Sequence, residues 1–464
     1  MSEITSWSAV HTAGHIRART ISVREVVEAH LDRLEAVNPA LNAVTEVADD
    51  ALEQARQMDE NRPTGDMPPL FGVPVTTKIN ADQIGYANSN GVPAFRDNIC
   101  TEDAPVVANL KAAGAVIIGR TNTPEFSMRW CTSNPLHGVS HNPWNRAVTP
   151  GGSSGAAAAA IVSGVGCIAH GNDLGGSLRY PAFCCGVTSI RPSMGRVPTF
   201  NPSTGGERPP IAHMMSVQGP IARSVGDLRL GLEAMARRAA QDPSWTSAPD
   251  SGRQREDGVR IGYCADPFGD GVDPAIDTAM GQAVAAAEEA GHEVVEYLPP
   301  EANLGARLWG DLLFTETEAV QGAAIMSHGS ADMQRLVTRY FESYTRLDVT
   351  GFIAALGARA RVSRLWAQMF DEIDLMLMPT SMIPPFANDR DLNDPGFVPT
   401  LMKAQKPLHL INLLGLPSVA LPTGLASGIP VGVQLVAPMH DDFFALDIAD
   451  TLERQLGTLW EQLG

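Results

Sequence analysis

Two long stretches of this chain contain no Asp, Glu, Lys or Arg: residues 147–172 and 407–438. In a sequence where 19% of residues are charged, burial is what keeps runs of that length neutral, because an unpaired charge in an interior is costly. Neither run is a bilayer span, since Gly, Ser and Pro interrupt both and crossing needs an apolar helix of ~20 residues. Both are therefore expected to be the inside of a folded protein, broken into short strands and helices.

Composition agrees with a packed interior. Hydrophobic residues make up 44% of the 464, well away from chains too polar to offset their ordering entropy. A total of 34 Lys+Arg against 52 Asp+Glu leaves a net charge of −18. That charge repels phosphate backbones and anionic headgroups, so no nucleic acid and no membrane partner is expected. Six cysteines, at 100, 131, 167, 184, 185 and 264, form no CxxC pair, which suits a reducing compartment. The opening MSEITSWSAV lacks the basic and apolar regions of a signal peptide, so a cytoplasmic location is expected.

Strand and helix patterns alternate along the chain. Ser22-Val23-Arg24-Glu25 has the form of a capping box, and the apolar residues after it recur at helical spacing until Asn38-Pro39, where the helix is expected to stop. A helix is expected over residues 49–58 and a strand over 71–77 ending in Lys78. A helix over 104–113 with Gly114 after it leads to a buried strand at 115–118. Further strands are expected at 259–263, 292–297, 373–379, 418–421 and 431–436. Helices are expected over 274–290, mostly over 303–370, and from about 442. No linker or repeat interrupts this, so one mixed α/β domain over 1–464 is the reading, with about 230–400 as a variable region that forms the substrate pocket.

The glycine clusters carry the chemistry. Gly151-Gly152-Ser153-Ser154-Gly155 lies inside the first uncharged run, where a loose linker would strand backbone polar groups. It is not a phosphate cradle, because GxxxxGK[ST] is absent. In Gly171-Asn172-Asp173-Leu174-Gly175-Gly176-Ser177, two glycines allow successive N–H groups to turn toward one point, as an oxyanion hole requires. Ser177 has no GxSxG elbow around it, and His170, seven residues earlier, reads as a satisfied core histidine before it reads as a base. His11/His15 and His137/His141 have i,i+4 spacing but no third ligand. Cys184-Cys185 sits among Phe and Ala residues as packed, inert thiols. No cofactor and no metal is expected.

The ordered set Gly72-Val73-Pro74 to Lys78, Thr121-Asn122-Thr123-Pro124-Glu125-Phe126, Asn142-Pro143-Trp144, Thr149 to Gly155, Asp173 to Ala182, Gly219 to Arg223, Gly415-Leu416-Pro417 and Gly428 to Leu435 resembles the amidase-signature hydrolases. The resemblance implies an α/β amidase-signature fold, with a large mixed β-sheet core covered by helices on both faces. It also implies a Ser-cisSer-Lys triad: Ser177 as nucleophile, Ser153 as the bridging serine after a cis bond from Gly152, and Lys78 as the base. Burial in a Gly/Ser/Ala environment supports the last assignment, since desolvation keeps a lysine neutral near pH 7. Backbone N–H groups of Leu174, Gly175, Gly176 and Ser177 are expected to form the oxyanion hole, with Asp173 and Arg179 bracing the loop. Ser154 is expected to cap the following helix and join a hydrogen-bond network. Trp130 and Cys131 fall where the family brings a loop to the scissile group, so both are pocket residues by resemblance. Lys78-Ile79-Asn80 stands where Lys-Asp is more frequent, and Asn172 where a threonine is common.

These residues point to a hydrolase of the C–N bond in neutral carboxamides, working through an acyl-enzyme, with esters and carbamates (urethanes) in reach of the same chemistry. The pattern is closest to broad-substrate bacterial members such as aryl acylamidases and urethanases, and family habit points to a homodimer. Two other readings use the same scaffold: a glutaminase-type subunit of a tRNA-dependent amidotransferase, and a non-catalytic small-molecule binding protein.

Overall fold

The computed structural model describes residues 3–249 and 258–463. Among the described residues, thirteen strands occur in the order β1 (Val44–Val47), β2 (Pro74–Lys78), β3 (Val116–Thr121), β4 (Ser133–Asn134), β5 (Gly138–Val139), β6 (Ile168–Asp173), β7 (Thr188–Arg191), β8 (Val217–Ala222), β9 (Arg260–Tyr263), β10 (Glu293–Glu296), β11 (Leu375–Pro379), β12 (Ser418–Ala426) and β13 (Ile429–Val436). All but the β4–β5 hairpin join one 11-stranded sheet in the order β1-β3-β2-β6-β8-β7-β12-β13-β11-β9-β10. The sheet is mixed. β3, β2 and β6 run parallel, as do β11, β9 and β10, and antiparallel pairs link the two blocks.

Alternating side chains send each strand into two cores, as a period of two requires. Val75, Ile117, Leu375, Leu377, Val419, Leu421, Val433 and Leu435 pack against helices Pro105–Ala112, Val225–Met235, Pro274–Glu289 and Asp442–Leu456. On the opposite face, Val116, Ile118, Ala169 and Ala420 meet helices Val23–Leu41 and Gly155–Val162. Met376, Met378 and Val436 on that face meet helices Ala302–Val320, Val349–Met369 and Lys406–Leu414. This is an α/β fold with helices on both faces of a large mixed sheet. Among the described residues, no helix is long and apolar enough to cross a membrane.

The Ser22 capping box forms in full, with the Glu25 N–H donating to Ser22 Oγ and the Glu25 carboxylate accepting from the Ser22 N–H. Its helix does not stop at Pro39 but runs to Leu41. Pro39 lacks only its own N–H, and the chain turns where Asn42 adopts a left-handed conformation (φ 51°) and Asn38 Oδ1 takes the N–H groups of Ala43 and Val44. The other expected helices and strands occur within a few residues of their expected ends, apart from β12, which runs on to Ala426.

Every residue of helix Gly155–Val162 is buried. Five consecutive alanines let it pass close to the sheet and to helix Val23–Leu41, and a hypothetical Cβ on Gly155 would stand 2.6 Å from Thr132 Oγ1. Ala158→Leu should therefore overpack this layer and lower stability by about 1–3 kcal/mol, seen as a lower urea midpoint with an unchanged m-value.

Candidate active site

Lys78 ends β2, between β3 and β6 in the sheet. The start of helix Gly155–Val162 brings Ser153 and Ser154 beside it, and β6 brings Asn172. The Lys78 amine is fully buried, with Nζ within hydrogen-bond distance of Ser153 Oγ at 2.7 Å, Ser154 Oγ at 3.2 Å and Asn172 Oδ1 at 2.8 Å. Among the described residues no carboxylate lies within ion-pair range of Nζ. Burial pushes its pKa well below the ordinary lysine value, against a weaker opposite pull from Asp173. A neutral amine has two N–H bonds and one lone pair. Asn172 Oδ1 can only accept, so the lone pair faces a serine hydroxyl, and Ser153 is the nearer.

The loop after β6 is held by a buried ion pair. Arg179 reaches Asp173 through Nε at 3.1 Å and Nη2 at 3.2 Å, with both side chains fully buried. Asp173 also accepts from the Gly176 N–H at 2.7 Å, the Leu178 N–H at 3.2 Å and Asn412 Nδ2 at 2.8 Å. Although burial opposes it, this company holds the carboxyl well below the usual carboxylate range. Asp173 and Arg179 thus form a buried pair that also holds the Gly176 and Leu178 N–H groups. The Gly176 amide, expected in the oxyanion hole, is instead engaged by Asp173. The N–H groups of Leu174, Gly175 and Ser177 make no hydrogen bond among the described residues. Gly176 has φ 101°, where a side chain would also run into Leu408.

Ser177 and Ser153 line the same cavity, of about 1180 Å³. The Ser177 hydroxyl has no hydrogen-bond partner among the described residues, so of the chain Ser177–Ser153–Lys78 the structure closes the Ser153–Lys78 half. Gly152–Ser153 is a cis peptide. Gly152 must be glycine because a Cβ would meet the Arg129 carbonyl and the Cys131 amide as that segment crosses it.

Trp130, Cys131, Ser154 and His170 are placed as follows. Trp130 lines the cavity, whereas Cys131 does not. Its thiol is fully buried, turned to Asp389 at 3.6 Å, and pushed up to about 12 by desolvation. Ser154 makes no side-chain cap on its helix, because its hydroxyl faces Lys78 and the Asn172 carbonyl. His170 is a core histidine. Nδ1 accepts from the Lys78 N–H at 3.4 Å and Nε2 meets Gln218 Oε1 at 2.7 Å, and burial lowers its pKa to about 4.

Cys131, Asp389 and Asp391 lie close enough to hold a cation. Arg129 already pairs with both carboxylates at 2.7 Å, which supplies the positive charge a metal would bring. The cavity wall is drawn from residues 80–98, 126–130, 199–216, 241–244 and 309–325, so only part of it comes from the 230–400 region. Asn80, noted from sequence only as a departure after Lys78, accepts through its amide oxygen from Asn172 Nδ2 at 2.9 Å, and Trp309 was not singled out. No motif ties either to the glycine loops.

The state of Lys78 should be visible in stability. Unfolding returns it to its ordinary pKa, so between its lowered folded value and ~10.4 the unfolded chain binds the extra proton, and stability rises with pH. Compared with Lys78→Met by urea unfolding, the wild type should gain up to about 1.4 kcal/mol per pH unit in that window, with the difference flat above it.

The Amidase family model matches residues 25–446. The chain is 42% identical to an indoleacetamide hydrolase of Bradyrhizobium diazoefficiens, over 99% of this chain and 88% of that protein. It is 32% identical to a glutamyl-tRNA(Gln) amidotransferase subunit from Roseiflexus castenholzii, over 94% of this chain and 92% of that one. Its structure superposes on a bacterial aryl acylamidase of the amidase-signature enzymes with a TM-score of 0.85, at 26% identity and covering 100% and 98% of the two chains. A fatty acid amide hydrolase shares the fold, with a TM-score of 0.86 at 22% identity and coverage of 98% and 86%. The chain belongs to the amidase-signature family of hydrolases, which act on amide and related C–N bonds.

Proposed function

We propose that this amidase hydrolyses small carboxamides carrying an aromatic acyl group, of the kind named in its 42%-identical relative. The observation that carries this reading is the aromatic wall beside Ser177. Phe126, Met128, Trp130, Trp309, Leu313 and Phe314 line the cavity that holds the nucleophile. Burying an aromatic side chain there is worth roughly 1.5–3 kcal/mol. The free α-ammonium and α-carboxylate of glutamine would gain little against that wall and would lose hydration. This weighs against a glutaminase role despite the amidotransferase relatives.

In this reading the neutral Lys78 amine draws the proton of Ser153, which draws that of Ser177 as its Oγ attacks the carbonyl carbon. The carbonyl oxygen becomes an oxyanion before the N–H groups of Gly175 and Ser177, with Leu174 beside them. The proton returns through Ser153 to the leaving amine, and water hydrolyses the acyl-enzyme by the same relay. Esters and carbamates with the same acyl shape enter by the same steps.

Indole-3-acetamide, phenylacetamide, acetamide, glutamine, an aryl anilide and an aryl carbamate should be offered to the wild type and Ser177→Ala. The two arylacetamides should exceed acetamide in kcat/KM by roughly 10- to 100-fold, and Ser177→Ala should fall to background. Activity should drop with pH on the acid side as Lys78 takes up its proton. Glutamine as the fastest substrate, or turnover surviving Ser177→Ala, would overturn the reading.

A further inference from the structure

We propose that the indoles of Trp309 and Trp130 are positioning residues for the oxyanion loop, holding its carbonyls from behind so that its free N–H groups face the reacting carbonyl. The inference rests on the acyl-transfer reading above. Trp309 Nε1 donates to the Leu174 carbonyl at 2.9 Å, and Trp130 Nε1 to the Gly175 carbonyl at 2.8 Å. An indole has one N–H and no acceptor, so the only hydrogen-bonding group of each side chain is committed to this loop.

Peptide planarity turns those contacts into aim. In a trans peptide the C=O and the following N–H point in opposite directions. Anchoring the Leu174 carbonyl on Trp309 therefore fixes the Gly175 N–H on the side away from that indole. The next peptide is held at both ends, its Gly175 carbonyl by Trp130 and its Gly176 N–H by Asp173. The third has its Gly176 carbonyl taken by the Tyr180 N–H at 2.8 Å, which fixes the Ser177 N–H in turn. The free donors of Gly175 and Ser177 thus alternate with an engaged one, and each sits on a peptide whose carbonyl is anchored. Two glycines make this backbone easy to rotate. Without the indoles, the Leu174 and Gly175 carbonyls would lose their partners, and rotating a peptide to find new ones would swing an N–H out of the hole.

The indoles are themselves held. Trp309 comes from helix Ala302–Val320 and stacks on the buried His409 ring, with centroids 3.8 Å apart and planes 3° apart. Phe314 and Tyr344 meet it edge-on. The fit is tight at Gly175, where a Cβ would stand 2.8 Å from Trp309 Cζ2. That close approach, rather than a positive φ, explains why this position is glycine.

Trp309→Phe keeps an aromatic ring and removes the N–H. Benzothienylalanine at position 309 keeps the bicyclic shape as well, so the question remains answerable if the phenylalanine variant folds poorly. With phenylacetamide as substrate, kcat should fall about 10- to 100-fold, less than the 10²- to 10³-fold typical of losing a donor outright, while KM changes less than threefold. Inhibition by phenylboronic acid, whose adduct with Ser177 is tetrahedral, should weaken by a similar factor, and inhibition by the product phenylacetate should stay unchanged. Trp130→Phe should show the same pattern. An unchanged kcat, or boronate and phenylacetate weakening together, would overturn the proposal and leave the indoles as pocket wall. Turnover surviving Ser177→Ala in the same assay would instead be a failure of the acyl-enzyme reading.

Discussion

The structure turns on a lysine amine placed in the middle of a sheet with only neutral oxygens to meet it. An ionised ammonium would pay several kcal/mol for leaving water there. Ser153, Ser154 and Asn172 offset part of that, while burial still lowers the pKa well below the ordinary lysine value. This explains the first uncharged run. All three partners lie in it, with the alanine helix that carries the serines. A carboxylate at any of these places would pair with Lys78 and hold its proton.

Asp173, whose charge pulls against the effect of burial on Lys78, is neutralised within its own shell. The second uncharged run supplies much of that shell. Asn412 donates to Asp173 and accepts from Arg179 at 2.6 Å, Gln434 accepts from Arg179 at 2.8 Å, and the Leu408 carbonyl accepts at 3.3 Å. Arg179 can therefore be fully buried with its fork occupied. The two neutral runs meet across the sheet, one around Lys78 and the other around the ion pair that shapes the Ser177 loop.

Most of the frame was legible because it is local. Alternating strand and helix patterns placed Lys78 at a strand end, and glycine spacing marked Ser153 and Ser177 as backbone-critical. What sequence did not reveal depends on side-chain direction or on distant partners. Trp130 and Cys131 are neighbours, yet one side chain lines the cavity and the other turns to Asp389, 258 residues away. Ser154 sits at a helix start, where a cap is the ordinary reading, but a buried lysine competes for its hydroxyl. Trp309 reaches Leu174 across 135 residues from a helix with no motif. Asn172 was visible as a departure, but its meaning needed Asn80 and Lys78 beside it.

Those two asparagines give the surroundings of Lys78 a fixed polarity. Asn80 Nδ2 donates to Ser127 Oγ at 2.9 Å, and Ser127 donates to Asn90 Oδ1 at 2.6 Å. Asn172 Nδ2 donates into the start of this chain at Asn80 Oδ1, which leaves Asn172 Oδ1 as the acceptor presented to Lys78. Seen from the lysine, Asn172 accepts in either protonation state, and Ser154 can do the same while its own hydroxyl points to the Asn172 carbonyl. Only the Ser153 bond needs to reverse, from O–H donating to a neutral amine to N–H donating to the oxygen. A proton can then move between Ser153 and Lys78 with no other partner of the lysine reorganising, which is the economy expected of preorganised electrostatics. In the proposed relay, the same surroundings that favour the neutral amine also have three acceptors ready for the ammonium.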